Sequence, residues 1–506
     1  MPRGYLALVL HAHLPFVRHP EHAEFLEERW LFEAVSDCYL PLLGVFEKLA
    51  DDGVPFRATL SISPTLAAML DDDLLRRRCH DFLKERQAKS QGAAPFLAEH
   101  SDHALREFER RGGDIVGGFS SLQQRGCLEI ITTAATHGFL PLQKSHAPTV
   151  RAQIRVALDE HVRRFHAKPC GFWLPECGFY PGLQHELAAA GVGYFIVDAH
   201  GFLNAQPPAP HGVFAPVACP GVAVFARDPD SAREVWGPGG FPGAAAYRDF
   251  HATDGNGFKS FAVTGAADEK KGYDPKLAAR LALHHAHQFV QSRIAQAEFQ
   301  AAHLANPPVI VAAYDAELFG HWWHEGPQFL EHVLRIAASH GKEIETITPS
   351  DYIARHPPAF AAVPGASSWG QHGFNDYWLN ATNHWIYPEL RRAALRFAEV
   401  CTMHGGGLWE KPRAPAPNGG GGPLLRRAHQ QAGRSLLLAQ ASDWPFMMKR
   451  GASASYAGKR LSDQLARVHH LCDAIEQGTV SERRLLALEQ MDNLFPHLDC
   501  RHFLEA

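Results

Sequence analysis

The feature that most constrains this chain is a series of short apolar runs, several of them unbroken, separated by helix-prone stretches. The runs are Tyr5–Leu10, Phe56–Leu60, Leu128–Thr132, Gly171–Leu174, Tyr194–Val197, Val222–Phe225, Val309–Tyr314 and Ile344–Ile347. A strand with one wet face alternates apolar and polar residues, whereas a strand covered on both faces does not. Unbroken strands alternating with helices point to an α/β fold with a parallel sheet. Polar residues stand at the C-terminal ends of several runs: His11 and His13, Glu176, Asp198 and Asp315. A closed barrel would gather those ends at one mouth, where such folds build their active sites. A barrel over residues 1–350 is therefore expected.

Two regions break the rhythm. Residues 69–111 are charged and hold no strand candidate. Asp71–Asp73 precede Arg76–Arg78 there, acids before bases, as a helix dipole prefers. This segment reads as a helical insertion in a barrel loop, or else as one long crossover helix. After Ser350 the strand signal fades. Leu390, Ala394, Phe397 and Cys401 share one helical face, and Leu461, Leu465, Val468, Leu471 and Ile475 share another. Leu485, Leu488, Met491 and Phe495 form a third behind an N-cap candidate, Ser481. Residues 351–506 thus read as a helical C-terminal domain. Its Gly/Pro-rich stretch 405–422 reads as a flexible loop.

Composition removes whole classes of function. The chain has 49 basic and 54 acidic residues, a net charge of −5, so no basic excess marks a nucleic-acid binder. No apolar run approaches the roughly 18 residues of a membrane span, and Tyr5–Leu10 is short for a signal-peptide core. The nine cysteines are scattered without a Cys-x-x-Cys pair, which fits a reducing cytoplasm better than a disulfide framework. No nucleic-acid partner and no membrane are expected.

Three segments carry candidate chemistry. In Gly171–Gly182 a strand meets Pro175, which cannot donate to a ladder, and Glu176 follows among Trp173, Phe179 and Tyr180. A carboxylate among aromatics is costly unless it has work to do, and aromatic faces suit the C–H faces of sugar rings. In Val309–Glu325 the most hydrophobic strand ends at Asp315, and Glu317, His321, Trp322, Trp323 and His324 follow. Two strand ends, each offering a carboxylate among aromatics, match the two-carboxylate arrangement of glycosidases. In His11-Ala-His13 the two imidazoles lie two residues apart and point the same way from a strand. They can hydrogen-bond sugar hydroxyls, hold a metal with Asp198 and His200 as further ligands, or serve a purely structural role. Trp369, between Ser368 and Gly370, looks like a loop-borne stacking platform; Trp378 and Trp444 lie in two further aromatic-rich segments.

Together these segments resemble glycoside hydrolase family 57 and, within it, the 1,4-α-glucan branching enzymes. The resemblance rests on five ordered regions: His11–Pro15, Gly126–Ile130, Trp173–Cys177, Ala313–Trp323 and Ser367–Trp369. The loop from Val235 to Asp249 and the segment Ala441–Phe446 resemble the branching subgroup. Cys127 departs from the glutamine common at its place and is given no role.

The resemblance implies an incomplete (β/α)7 barrel with a small helical insertion and an all-helical C-terminal domain. It implies a retaining mechanism without cofactor or metal, with Glu176 as nucleophile and Asp315 as general acid/base. The expected substrate is an α-1,4-glucan such as amylose or glycogen. His11, His13, Trp236, Trp322, Trp369, Trp378 and Trp444 are the expected substrate contacts. In this reading Trp236 covers the donor chain, and Trp369 or Trp444, its indole aimed outward by Pro445, offers an acceptor platform. An α-amylase or 4-α-glucanotransferase of the same family would share both acids and differ in acceptor. A metal-dependent deacetylase-like hydrolase would instead use His11, His13 and Asp198.

Overall fold

The computed structural model describes residues 1–255, 257–265, 270–404 and 422–504. The Gly/Pro-rich stretch 405–422, apart from Gly422, lies outside the described residues.

The strands are β1 (Gly4–Ala12), β2 (Ala58–Ile62), β3 (Leu128–Thr133), β4 (Gly171–Trp173), β5 (Tyr194–Val197), β6 (Val217–Cys219), β7 (Val222–Ala226), β8 (Val309–Asp315) and β9 (Ile344–Thr346). They form one sheet in the order β6-β7-β5-β4-β3-β2-β1-β8, with β9 added on β1. From β7 round to β8 the seven strands run parallel, and β6 pairs antiparallel with β7. Among the described residues no ladder joins β7 to β8. The seam is bridged by the Asp228 amide, which donates to the Val311 carbonyl at 2.9 Å. The Arg227 guanidinium also donates across it, to the Ala313 carbonyl at 3.3 and 3.2 Å. This is an incomplete (β/α)7 barrel.

Burial explains why the runs are unbroken. Every residue of β1 is buried, yet its two faces pack differently. Tyr5, Ala7 and Val9 join Trp173, Ile196, Phe225, Val309, Val311 and Ala313 in the barrel interior. Leu6, Leu8 and Leu10 face the surrounding helices. The two-residue period carries this alternation to the mouth. His11 continues the inner face of β1, and Asp315 continues that of β8, directly beside it in register.

Residues 69–111 contain two helices, Asp73–Ser90 and Pro95–Arg110, so the single crossover helix is ruled out. Asp72 caps the first by accepting from the Leu75 amide at 2.9 Å. The strand Val217–Cys219 was not anticipated: three residues give too little pattern, and pairing with β7 across a tight turn at Gly221 (φ +78°) makes it a strand.

Helices Ile386–His404, Gly422–Ala439, Asp443–Arg450, Ala454–Glu476 and Glu482–Met491 make up the C-terminal region. Ser481 does cap the last, accepting from the Arg484 amide. This region is fastened to the barrel mouth by polar contacts. The Ser442 amide donates to the His137 carbonyl at 3.1 Å, and Gln153 donates to Gln440 at 3.1 Å. Arg460 donates to the Phe16 carbonyl at 3.0 Å. Buried polar groups need such partners, so the two regions meet in one specific way.

Candidate active site

The chain brings Glu176 into the mouth by an unusual backbone turn. β4 stops at Trp173, and Pro175 has no N–H with which to extend a ladder. Glu176 and Cys177 then adopt left-handed conformations, at φ 60° and 51°. Non-glycine residues in that region cost on the order of 1–3 kcal/mol each and persist where surroundings enforce them. Here the Trp369 amide grips the Glu176 carbonyl at 2.8 Å. The Trp369 indole donates to the carboxylate at 2.6 Å, and the Ser442 hydroxyl donates to its other oxygen at 3.0 Å. Burial pushes the Glu176 carboxyl up to about 7, and the Asp443 charge adds to this, while the bonds from Trp369 and Ser442 hold it down.

Asp315 ends β8 on the inner face. Burial raises its carboxyl well above the usual range, helped by the charges of Glu317 and Glu176, with Arg227 opposing. Glu317 lies just beyond. It receives the Tyr39 hydroxyl and the His13 amide at 3.0 Å. Burial pushes Glu317 up to about 7. The loop after it lies tight on the segment 35–39. Gly320 has φ +110°, and a Cβ there would stand 1.8 Å from the Asp37 carbonyl oxygen.

Three histidines form the floor. His11 is stacked on Trp173 at 5.1 Å between centroids. Its Nδ1 meets the Ser61 hydroxyl at 3.0 Å and its Nε2 meets His137 Nε2 at 2.9 Å. The expectation that His11 binds sugar is corrected: the residue is 1% exposed, and both ring nitrogens are taken by protein. His13 meets Ser63 at 2.9 Å and Asp443 at 3.2 Å. Burial opposes its charge, but Asp443, followed by Glu176 and Glu317, raises its pKa.

The tryptophans separate into two groups. Trp173, Trp369 and Trp236 form a line from the barrel interior outward, with centroid separations of 5.4 and 6.4 Å. Trp236 is 46% exposed and Trp322 51%, so both offer faces to a ligand. Trp322 lies against Phe250 at 4.5 Å. Trp378 and Trp444 are corrected. Trp378 is buried and stacked on Phe139 at 4.6 Å. Trp444 is fully buried, its N–H donating to the Leu438 carbonyl at 2.7 Å. Pro445 did not aim it outward, because it stands in the first turn of the helix Asp443–Arg450, where proline is tolerated. Trp444→Ala is therefore expected to cost about 3–5 kcal/mol of stability, read as a lowered midpoint in denaturant unfolding. A loss under about 1 kcal/mol would contradict a core role.

The metal alternative loses its ligands. Asp198 is engaged by Arg227 at 2.8 Å and by its own helix amide at 2.7 Å. Among the described residues no group of three or more His, Cys, Asp or Glu side chains is placed to hold a metal ion.

Sequence reasoning missed Arg227, His137, Ser442 and Asp443. Arg227 directly follows the run that ends in β7, the same signal that singled out Asp198. His137 stands four residues beyond β3, with a left-handed φ of 55°, and no pattern marks it. Ser442 and Asp443 lie within Ala441–Phe446 beside Trp444, where no local pattern marks them.

The description of glycosyl hydrolase family 57 matches residues 7–364. The chain belongs to glycosyl hydrolase family 57. A second description, 1,4-alpha-glucan branching enzyme, C-terminal, matches residues 416–503. Glu176 and Asp315 thus fall in the family 57 match, and Ser442 and Asp443 in the C-terminal one. A curated 1,4-alpha-glucan branching enzyme of Thermococcus kodakarensis is 30% identical, over 97% of this chain and 77% of its own. The solved GH57-type branching enzyme of Pyrococcus horikoshii is 30% identical and superposes with a TM-score of 0.89, covering 99% of this chain and 97% of that one. The alpha-amylase of Thermotoga maritima is 34% identical, with a TM-score of 0.87 and coverage of 100% and 99%. The family 57 fold therefore extends over essentially the whole chain.

Proposed function

We propose that this chain is a 1,4-α-glucan branching enzyme that cleaves an α-1,4-glucan with retention and transfers the chain to a 6-hydroxyl, in glycogen synthesis. The observation that carries this reading is the pairing of two different carboxyl groups at one barrel mouth. Burial raises both carboxyls, but two hydrogen-bond donors oppose the rise at Glu176, whereas the charges of Glu317 and Glu176 add to it at Asp315. Environments that drive two acids apart assign them different roles. Asp315 protonates the glycosidic oxygen while Glu176 attacks the anomeric carbon, forming a covalent glycosyl-enzyme. Asp315 then takes a proton from the acceptor hydroxyl, and the acceptor oxygen displaces Glu176. Trp236 and Trp322, both half exposed, present faces for the glucan. His13, its side chain 10% exposed, has its nitrogens on Ser63 and Asp443 and can meet a sugar only through its ring carbons. Trp369 contributes beside the nucleophile rather than on a separate acceptor surface.

Branching is supported by the branching-enzyme relatives and by the match of residues 416–503. Hydrolysis is the second reading, supported by the similar Thermotoga maritima amylase. The test is incubation with amylose, followed by debranching and chain-length analysis alongside a count of reducing ends. New α-1,6 linkages in excess of new reducing ends are expected; reducing ends without branches would make the protein an amylase. A cytoplasmic location belongs to the same reading. It is supported by nine cysteines that are all free thiols. Among the described residues no helix is long and apolar enough to cross a membrane.

A further inference from the structure

We propose that Ser442, supplied by the C-terminal helical region, is a positioning residue that closes a one-way hydrogen-bond chain, Ser61–His11–His137–Ser442–Glu176, whose donors all point at the nucleophile and hold it ionised. The proposal rests on the reading of Glu176 as nucleophile.

The links are short and continuous. Ser61 Oγ meets His11 Nδ1 at 3.0 Å, and His11 Nε2 meets His137 Nε2 at 2.9 Å. His137 Nδ1 meets Ser442 Oγ at 2.8 Å, and Ser442 Oγ meets Glu176 Oε1 at 3.0 Å. Donor counting fixes the direction. An ionised carboxylate only accepts, so Ser442 must spend its single proton on Glu176. Its oxygen then can only accept from His137, which places the His137 proton on Nδ1. A neutral imidazole has one donor, so His137 Nε2 accepts, and His11 must carry its proton on Nε2. His11 Nδ1 is left as an acceptor for the Ser61 hydroxyl. The chain works only if both rings are neutral. Burial, with the neighbouring His13 charge next, pushes His11 and His137 well below the usual histidine range.

His13 stays outside this chain. It stacks on His137 at 3.8 Å but spends its nitrogens on Ser63 and Asp443. The titratable groups facing Glu176 are His13 just beyond β1, His137 beyond β3, Asp443 beside Ser442, and Asp315 on β8. None of them donates to the carboxylate; its two donors are Trp369 and Ser442. One is neutral indole, and the other is the end of the ordered chain. The barrel strands cannot provide that last donor, so the nucleophile is completed only when the C-terminal region docks.

The test compares Ser442→Ala, Ser442→Thr and His137→Asn in the full chain, following amylose turnover across pH, with Glu176→Gln alongside. Ser442→Ala is expected to lower kcat/KM roughly ten- to hundredfold, the worth of a hydrogen bond to a charged group. It should also move the acidic limb of the profile to higher pH by about one unit, because a carboxylate that has lost a donor protonates earlier. Ser442→Thr keeps the hydroxyl and should return the limb to its wild-type place. His137→Asn can put an amide N–H where Nδ1 stood, so it too should leave the limb near wild type. If Ser442→Ala does not fold, Ser442→Cys, a weaker donor of similar size, should shift the limb in the same direction. A Ser442→Ala protein with the wild-type melting temperature and an unmoved acidic limb overturns the proposal. An active Glu176→Gln instead overturns the nucleophile assignment beneath it, so the two failures are distinguishable.

Discussion

Glu176→Gln is expected to stop glucan turnover, with a fall in kcat on the order of 10⁴-fold or more, as for other covalent nucleophiles. The substitution keeps the length of the side chain and removes only its charge and nucleophilicity. It also spoils the local bonding. The carboxylate has two acceptor oxygens facing two donors, the Trp369 indole and the Ser442 hydroxyl. An amide offers one carbonyl oxygen and one NH2, so the NH2 must either meet the donor-only indole or turn the Ser442 hydroxyl into an acceptor. Activity of more than a few per cent of wild type would sink the assignment. The same placement gives a pH prediction. The nucleophile must be ionised, and burial has raised its carboxyl to about 7. Activity should therefore be present above that value and be lost as pH falls through it. Because Asp315 lies close enough to interact, the limbs belong to the pair rather than to either acid alone.

Asp315→Ala is expected to slow amylose turnover by several orders of magnitude while slowing an α-glycosyl fluoride far less. Fluoride leaves without a proton, so a missing general acid matters little in the first step. The structure supplies the reason Asp315 suits this role. It sits at the inner end of β8, where burial first, then Glu317, then Glu176 favour its protonated form, and Arg227 alone opposes them. Equal losses on the two substrates would show that Asp315 supports the fold or binding rather than proton transfer.

Legibility in the sequence followed the range of the interaction concerned. Asp315 and His11 stand at the C-terminal ends of apolar runs, which is a local signal, so their place at the barrel mouth is legible in the sequence. Glu176 was legible because Pro175 ends a strand immediately before it. His137 was not, because it reaches His11 from 126 positions away and no local pattern marks a residue four beyond a strand. The tryptophans show the same limit from the other side. Trp369 is loop-borne, as its serine and glycine neighbours suggest, but nothing local shows that its indole closes on Glu176, 193 positions away. Trp444 looked exposed and is core, because a proline in a first helical turn does not break a helix.

By itself the sequence determined the alternating strands and helices, the strand-end carboxylates Glu176 and Asp315, and the family, because each rests on residues adjacent in the chain. Only the tertiary structure decided which groups surround those acids. It placed Ser442 and Asp443 of the C-terminal region against Glu176 and His13, and Arg227 across the open seam. It also engaged the His11 ring with Ser61 and His137. The physical reason is that hydrogen bonding and burial act over a few ångströms of space, and the partners of Glu176 and His13 lie up to 430 positions away along the chain.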